Sequence, residues 1–104
     1  MATAYLTQYN NYEIIQGCVV PVAALPEGTA ITPITLSGSS QQFGALASTT
    51  RLVCLHSDGI LSWASGSNPT AVTTQNRRPA DFIEYFVVPQ GAAGALKIAV
   101  IANT

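Results

Sequence analysis

Clusters of glycine, proline and serine divide this chain into short apolar runs, and no stretch repeats apolar residues at helical spacing. The runs are rich in Val, Ile, Thr and aromatic residues, which favour extended backbone. Short runs of this kind between turn-forming residues are typical of strands. We therefore expect an all-β protein in which about six to eight short strands form a small β-sandwich or a jelly-roll-like barrel.

The length of 104 residues suits one domain with one core, so we expect residues 1–104 to fold as a single β domain. Residues 1–11 are polar and poor in charge. A segment of this composition at a chain terminus can stay extended until it meets a partner. We expect it to form an N-terminal arm that becomes ordered on a neighbouring molecule.

Charged residues are scarce, at 9% of the chain, although the hydrophobic share of 48% is ordinary. The surface must then consist largely of Ser, Thr, Asn, Gln, Gly and Ala. Proteins that stay dispersed as monomers usually carry more charge of both signs. The composition therefore favours a subunit in permanent contact with neighbours, with a homo-oligomer as the expected state and a neutral or secreted monomer as the alternative.

The same composition argues against two classes of partner. With a formal net charge of −1 and four basic residues, the chain has no basic face for nucleic acid. No stretch approaches the ~20 apolar residues of a membrane helix, and the start lacks the order of a signal peptide. We expect no membrane partner. For a protein made in a reducing compartment, Cys18 and Cys54 are expected to be buried thiols rather than a disulfide.

The strongest local signal is RLVCLHSDGILSWA, in which Asp58 and Gly59 suit the central positions of a type I′ turn. This pattern predicts a β-hairpin with Cys54 opposite Trp63. The end of the chain, FIEYFVV followed by PQGAAGA and LKIAVIA, predicts a second hairpin-like pair.

Four segments carry further predictions. The run YEIIQGCVVPV, from Tyr12, is interpreted as one strand, and Pro21 implies that it lies at an edge or carries a bulge. A second proline in AITPITL, residues 30–36, also indicates an irregular edge. Residues 65–81 are rich in turn formers and are predicted to form a long surface loop. In the last strand, Ile98 and Val100 or their alternates should enter the core.

No catalytic residue, cofactor or metal ion is expected. His56, Ser57 and Asp58 are the residue types of a hydrolase triad, but consecutive residues of a strand project to opposite faces and cannot converge on one substrate. Cys54, His56 and Cys18 could approach a metal ion, yet structural zinc takes four protein ligands and no fourth is evident. The glycines match no phosphate-binding spacing.

Five residues are candidate contacts with neighbouring subunits: Asn68, Arg77, Arg78, Tyr85 and Phe86. The first three fall in the predicted loop, where an arginine can pair with a carboxylate of a partner or of this chain, Asp81 or Glu84. Tyr85 and Phe86 alternate, so that one of them should face outward. These rings and Trp63 could instead form a carbohydrate platform, although core packing is their commoner use.

The second half of the chain resembles small structural proteins of tailed bacteriophage virions. The resemblance lies in the order and spacing of RLVCLHSDG (51–59), WASGSNPTA (63–71), RPADFIEYFVV (78–88) and KIAVIA (97–102), and residues 1–50 do not take part in it. The segment PQGAAGA is longer and more apolar than the tight turn typical of that family.

The resemblance implies a non-enzymatic virion component, first of all a capsid decoration or cement protein that stabilises the head lattice. Its partners would be the major capsid protein or other virion proteins, and its location would be the virion after synthesis in the host cytoplasm. The alternatives are a head-tail connector, a tail- or fibre-associated protein, and a carbohydrate-binding β module.

Overall fold

The computed structural model describes residues 2–9, 12–15, 18–21, 29–89 and 95–103. In these residues the chain forms ten strands: β1 Thr3–Tyr9, β2 Tyr12–Ile15, β3 Cys18–Pro21, β4 Thr29–Thr35, β5 Gln41–Gln42, β6 Leu52–Ser57, β7 Leu61–Gly66, β8 Arg77–Arg78, β9 Phe82–Val87 and β10 Lys97–Ala102. No helix long and apolar enough to cross a membrane occurs in this part of the chain.

Eight of the strands build two four-stranded sheets. Sheet 1 has the order β4-β1-β6-β9 and sheet 2 the order β5-β10-β7-β8. All neighbouring strands in both sheets run antiparallel. The predicted all-β class is confirmed, and the arrangement is that of a small β-sandwich.

The core lies between the inner faces of the two sheets. On β1 the burial pattern alternates, which places Ala4 and Leu6 inward. Strand β6 adds Leu55, and β10 adds Ile98 and Val100, the first of the two sets that the sequence left open. Burying a large aliphatic side chain contributes roughly 1.5–3 kcal/mol, so these strands supply much of the stabilisation. Residues outside the strands close the ends of the core: Leu36, Phe43, Leu46 and Val88.

The predicted hairpin at Asp58-Gly59 is wrong, because β6 belongs to sheet 1 and β7 to sheet 2. The Ser57 hydroxyl donates to the Gly59 carbonyl at 2.9 Å and accepts from the Gly59 N–H at 3.1 Å. The Thr3 N–H donates to Asp58 Oδ1 at 2.7 Å. These bonds hold the connection as an arch between the sheets. The second predicted pair is also wrong, since β9 lies in sheet 1 and β10 in sheet 2.

Both errors have one physical cause. A hairpin would place β6 and β7 side by side in one layer, whereas in the structure their apolar residues lie in opposite layers and contact the same core. Gly59 permits the arch, because a Cβ at this position would lie 2.2 Å from the Cβ of Ala2. Tertiary packing therefore overrides the local turn preference.

The N-terminal half also differs from its prediction. The expected arm contributes β1, which pairs with β4 on one side and β6 on the other and is thus a central strand of sheet 1. Its alternating apolar residues reach the core, which a polar arm would not do. The expected single strand from Tyr12 is two strands, β2 and β3, paired antiparallel with Ile15 opposite Cys18.

The irregular edge predicted around the second proline is confirmed. Strand β4 is an edge strand, and its register with β1 shifts between Ala4 and Leu6. Thr32 and Pro33 together oppose Tyr5, which is the arrangement of a β-bulge. The sequence LPEG, residues 25–28, predicts a turn, but these residues and residues 90–94 of the segment PQGAAGA lie outside the described part.

Candidate functional site

The outward side of sheet 1 carries a regular grid of side chains from three adjacent strands. Pairing of β1 with β6 and of β6 with β9 aligns them in rows. We call this grid the apolar face, and its nine members are Tyr5, His56 and Ile83 in the first row, Thr7, Cys54 and Tyr85 in the second, and Tyr9, Leu52 and Val87 in the third. None of them is Asp, Glu, Lys or Arg.

Four large side chains of the apolar face are exposed to solvent. Ile83 is 64% exposed, Val87 48%, Tyr85 46% and Tyr5 43%. Three of the four lie on β9, at the edge of the sheet. Single exposed apolar residues are normal on a protein surface, but a contiguous group of this kind usually marks a contact site.

Tyr5 and His56 pack together within the first row. Their ring centroids are 5.8 Å apart with an interplanar angle of 23°, which is a stacked arrangement. They are also directly paired residues of β1 and β6. A cross-strand pair of this kind contributes roughly 0.2–1 kcal/mol and holds the Tyr5 ring in place on the surface.

Cys54 and Tyr85 are paired in the second row. Burial raises the pKa of the Cys54 thiol above its ordinary value of 9.0, and a hydrogen bond with Tyr85 offsets part of this effect. Burial also raises the pKa of the Tyr85 phenol, and the neighbouring Cys54 raises it further. Both groups are therefore neutral near pH 7. A protonated thiol is a poor nucleophile and a poor metal ligand, so Cys54 acts here as a small apolar residue.

The outward side of sheet 2 is covered by the chain itself. Residues 67–76, here called the covering loop, pass over it, and Ser62 and Ala99 beneath are fully buried. The Gln42 side-chain amide donates to Asn68 Oδ1 at 2.8 Å and to the Pro69 carbonyl at 2.9 Å. Further hydrogen bonds run from the Asn103 amide to the Thr73 carbonyl, from the Ala71 N–H to Ser40 Oγ, and from the Asn76 amide to the Trp63 carbonyl. The outward side of sheet 2 is thus covered by this loop, whereas on the outward side of sheet 1 Leu52 is fully buried but Tyr5 and the three β9 residues of the apolar face remain exposed.

Arg78 and Glu84 form an ion pair across one side of the sandwich. Arg78 lies on β8 at the edge of sheet 2, and Glu84 lies on β9 at the edge of sheet 1. The guanidinium donates to both carboxylate oxygens, which is a bidentate arrangement. The hydrogen bond to Glu84 raises the pKa of Arg78. Arg78 therefore binds a carboxylate of its own chain, one of the alternatives that the sequence left open.

The other four candidate contact residues lie in three different places: the core, the apolar face and the region of the covering loop. Phe86 points into the sandwich, where its ring lies 4.6 Å from that of Trp63. Tyr85, the neighbour that alternation directs outward, is therefore the member of this pair that lies on the apolar face. Asn68 is exposed and belongs to the covering loop, and Arg77 is exposed beside it. The five candidates do not form one cluster.

An apolar cavity of about 150 Å³ lies beside the Trp63 and Phe86 rings. Its walls also include Leu46, Val53 and Ile98. The Trp63 Nε1–H is buried without a hydrogen-bond partner among the described residues. With walls that are mainly apolar, the cavity offers no constellation for catalysis.

Ser57, His56 and Asp58 do not assemble into a catalytic site. Ser57 is fully buried with its hydroxyl bonded to Gly59, whereas His56 lies on the opposite side of the strand. Asp58 accepts the Thr3 N–H instead of orienting the imidazole. Within the described ranges, no group of three or more His, Cys, Asp or Glu residues is placed to hold a metal ion.

The described residues form a two-sheet β-sandwich that carries an exposed apolar patch, Tyr5, Ile83, Tyr85 and Val87, on the outward side of sheet 1. No protein-family model, curated protein or solved structure matches the chain. Three of the four exposed residues of the apolar face, Tyr5, Ile83 and Val87, were not among the candidate contacts taken from the sequence. Alternation in FIEYFVV already grouped Ile83 and Val87 with Tyr85, but it did not show which side of β9 faces the core.

Proposed function

We propose that this protein is a non-enzymatic structural subunit that completes its burial against other polypeptides in a larger assembly. The observation that carries the proposal is the apolar face, where Ile83, Tyr85 and Val87 stay exposed while the opposite side of the sandwich is covered by its own loop. Low charge adds support, since a chain with 9% charged residues has little electrostatic protection against association.

The assembly that we propose is the virion of a tailed bacteriophage, with the chain as a capsid decoration or cement protein. The support for this step is the resemblance of residues 51–102 to small phage structural proteins. A decoration protein needs only modest contacts per copy, because the symmetry of a shell multiplies them. Its partners would be the major capsid protein and copies of itself, and a connector or a tail- or fibre-associated location is the alternative.

Mass spectrometry of purified virions tests this assignment. A copy number close to that of the major capsid protein would support decoration, whereas a few copies would indicate a connector or tail location. Absence from particles would overturn the virion assignment.

A matched pair of variants tests the role of the apolar face. Tyr5 and Val72 are both 43% exposed, but only Tyr5 lies on this face. We expect Tyr5→Ser to reduce incorporation into particles and Val72→Ser to leave it unchanged. Equal incorporation of both variants would exclude the apolar face as the contact.

A second candidate function is carbohydrate binding, and the exposed rings of Tyr5 and Tyr85 favour it. Aromatic rings on a flat surface can stack on sugar rings. A glycan array separates the two functions: saturable binding of one sugar class, lost in Tyr85→Ala, would favour the carbohydrate module over the lattice subunit.

A further inference from the structure

The four edges of the two large sheets differ in how they resist pairing with another chain. Edge strand β4 is interrupted by the bulge at Thr32 and Pro33, and a proline has no N–H to donate. The edges of sheet 2 are β5 and β8, which have two residues each. Strand β9 has six residues, with neither proline nor lysine. Of these four edges, β9 alone combines a length of six residues with the absence of a bulge, a proline and a lysine, so its remaining protection is the inward charge of Glu84.

Three residues of β9 direct their backbone N–H and C=O groups away from the sheet, where a partner strand could bind. The Val88 N–H donates to the Arg51 carbonyl at 2.9 Å, which directs the backbone of Val88 toward β6. Because hydrogen-bonding direction alternates along an antiparallel strand, Phe86 and Glu84 face β6 as well. Ile83, Tyr85 and Val87 therefore direct their N–H and C=O groups to the outer edge, where no other described strand pairs with them.

An inward charge on an edge strand normally opposes pairing, and Glu84 occupies such a position. Here the carboxylate is bound by Arg78 within the same chain. Two copies that meet at β9 consequently bring no unpaired charge together, and the net charge of −1 adds little repulsion. This neutrality fits a second copy of the chain better than a charged partner.

We propose that β9 pairs antiparallel with β9 of a second copy, about a two-fold axis at Tyr85. In this register Tyr85 lies opposite the partner's Tyr85, and Ile83 lies opposite the partner's Val87. All three outward residues then form hydrogen-bonded pairs, and the two apolar faces join into one continuous surface. An axis at Glu84 would place two carboxylates opposite each other, which disfavours that register.

The inference rests on the proposed function, because it names the contact through which copies associate in the assembly. An edge of six residues buries less than the roughly 1,200 Å² of a stable interface, so the isolated dimer should be weak. Symmetric repetition in an assembly would strengthen it.

Cysteine cross-linking tests both the contact and its register. On a Cys18→Ser, Cys54→Ser background, the double variant Ile83→Cys, Val87→Cys should form a disulfide-linked dimer, since opposed residues lie about 5.5 Å apart between Cα atoms. The two single variants should not form this dimer. The only cysteine of one subunit would then lie about 13 Å along the strand from the same cysteine of the second subunit. Absence of the double-variant dimer, or equal cross-linking of a single variant, overturns the proposal.

Sedimentation of the full chain over a range of concentrations supplies a second measurement. We expect Tyr85→Lys to weaken dimerisation by at least about tenfold, because it places two like charges on the axis, and Val72→Lys to leave it unchanged. A chain that stays monomeric at every concentration overturns the edge contact. The virion assignment is tested separately by particle composition, so the two can fail independently.

Discussion

Arg78 and Glu84 form an ion pair that joins the edge strands of the two sheets. The residues come from β8 and β9, which belong to different sheets but lie on the same side of the sandwich. The pair closes that side of the core and leaves the outer edge of β9 neutral. It thus links the stability of the fold to the contact proposed for β9.

Loss of this ion pair should lower the free energy of unfolding by about 1 kcal/mol, the upper range for a partly exposed pair. We expect this result for Arg78→Gln, whereas Arg77→Gln, which removes an equal charge at an exposed neighbouring position, should change stability by less than about 0.5 kcal/mol. Urea denaturation measures both. The difference between the variants should shrink at high salt, and a difference that grows with salt would contradict an electrostatic origin.

The close approach of Gly59 to Ala2 predicts a steric requirement at the arch between β6 and β7. Gly59→Ala should destabilise the protein by roughly 1–3 kcal/mol, because the added Cβ would lie 2.2 Å from that of Ala2. Gly38→Ala is the control, since a Cβ there meets nothing within 4 Å. Thermal unfolding provides the measurement. Adding Ala2→Gly to Gly59→Ala should restore stability, and failure to do so would argue against this contact.

The raised pKa of Cys54 predicts slow alkylation at neutral pH. In a Cys18→Ser background, the rate of reaction with iodoacetamide should reach half of its maximum at a pH above 9.0, the ordinary pKa of the thiol. Tyr85→Phe removes the hydrogen bond that lowers this pKa, so the rate profile should move to still higher pH. A profile displaced to lower pH would show that the thiolate is stabilised instead.

The same raised pKa values predict a loss of stability in alkaline solution. The folded state holds the Cys54 and Tyr85 protons more tightly than the unfolded state, because both pKa values are raised. The contribution of these two groups to the free energy of unfolding is therefore complete at neutral pH and declines as the pH rises above about 9. Denaturation at several pH values should show this decline, and Cys54→Ser should reduce it. If the free energy of unfolding of Cys54→Ser declined with pH as steeply as that of the original chain, the effect would belong to other groups.

Asn103 should hold the covering loop over sheet 2. Its amide donates to Ser62 Oγ at 2.7 Å and to the Thr73 carbonyl at 2.9 Å. Asn103→Ala removes both hydrogen bonds, and we expect this loss to lower the free energy of unfolding by roughly 1–3 kcal/mol. Hydrogen exchange should then become faster in the covering loop, while Gln75→Ala, an exposed change within the loop, should have little effect. Unchanged exchange in Asn103→Ala would mean that other contacts retain the loop.

Only a part of the candidate site follows from local patterns, since Tyr85 is the one candidate contact that lies on the apolar face. Alternation separated Tyr85 from Phe86, and the same rule applied along FIEYFVV implies that Ile83 and Val87 share the side of Tyr85. The scarcity of charge predicted a surface suited to association. These features depend only on residue type and on the two-residue period of extended backbone, so they can be derived before the fold is known.

Residue types and their spacing alone predict that the chain forms short strands and that a proline interrupts an edge strand, but they leave open whether Ile98 and Val100 or their alternates enter the core. The packing of the two sheets determines that β6 and β7 lie in opposite layers, that Ile98 and Val100 face the core, and that Phe86 faces inward while Tyr85 faces outward. Local alternation cannot make these choices, because it treats the two faces of a strand alike. The choice between them depends on which distant strands supply the other layer of the core, and that information is not local.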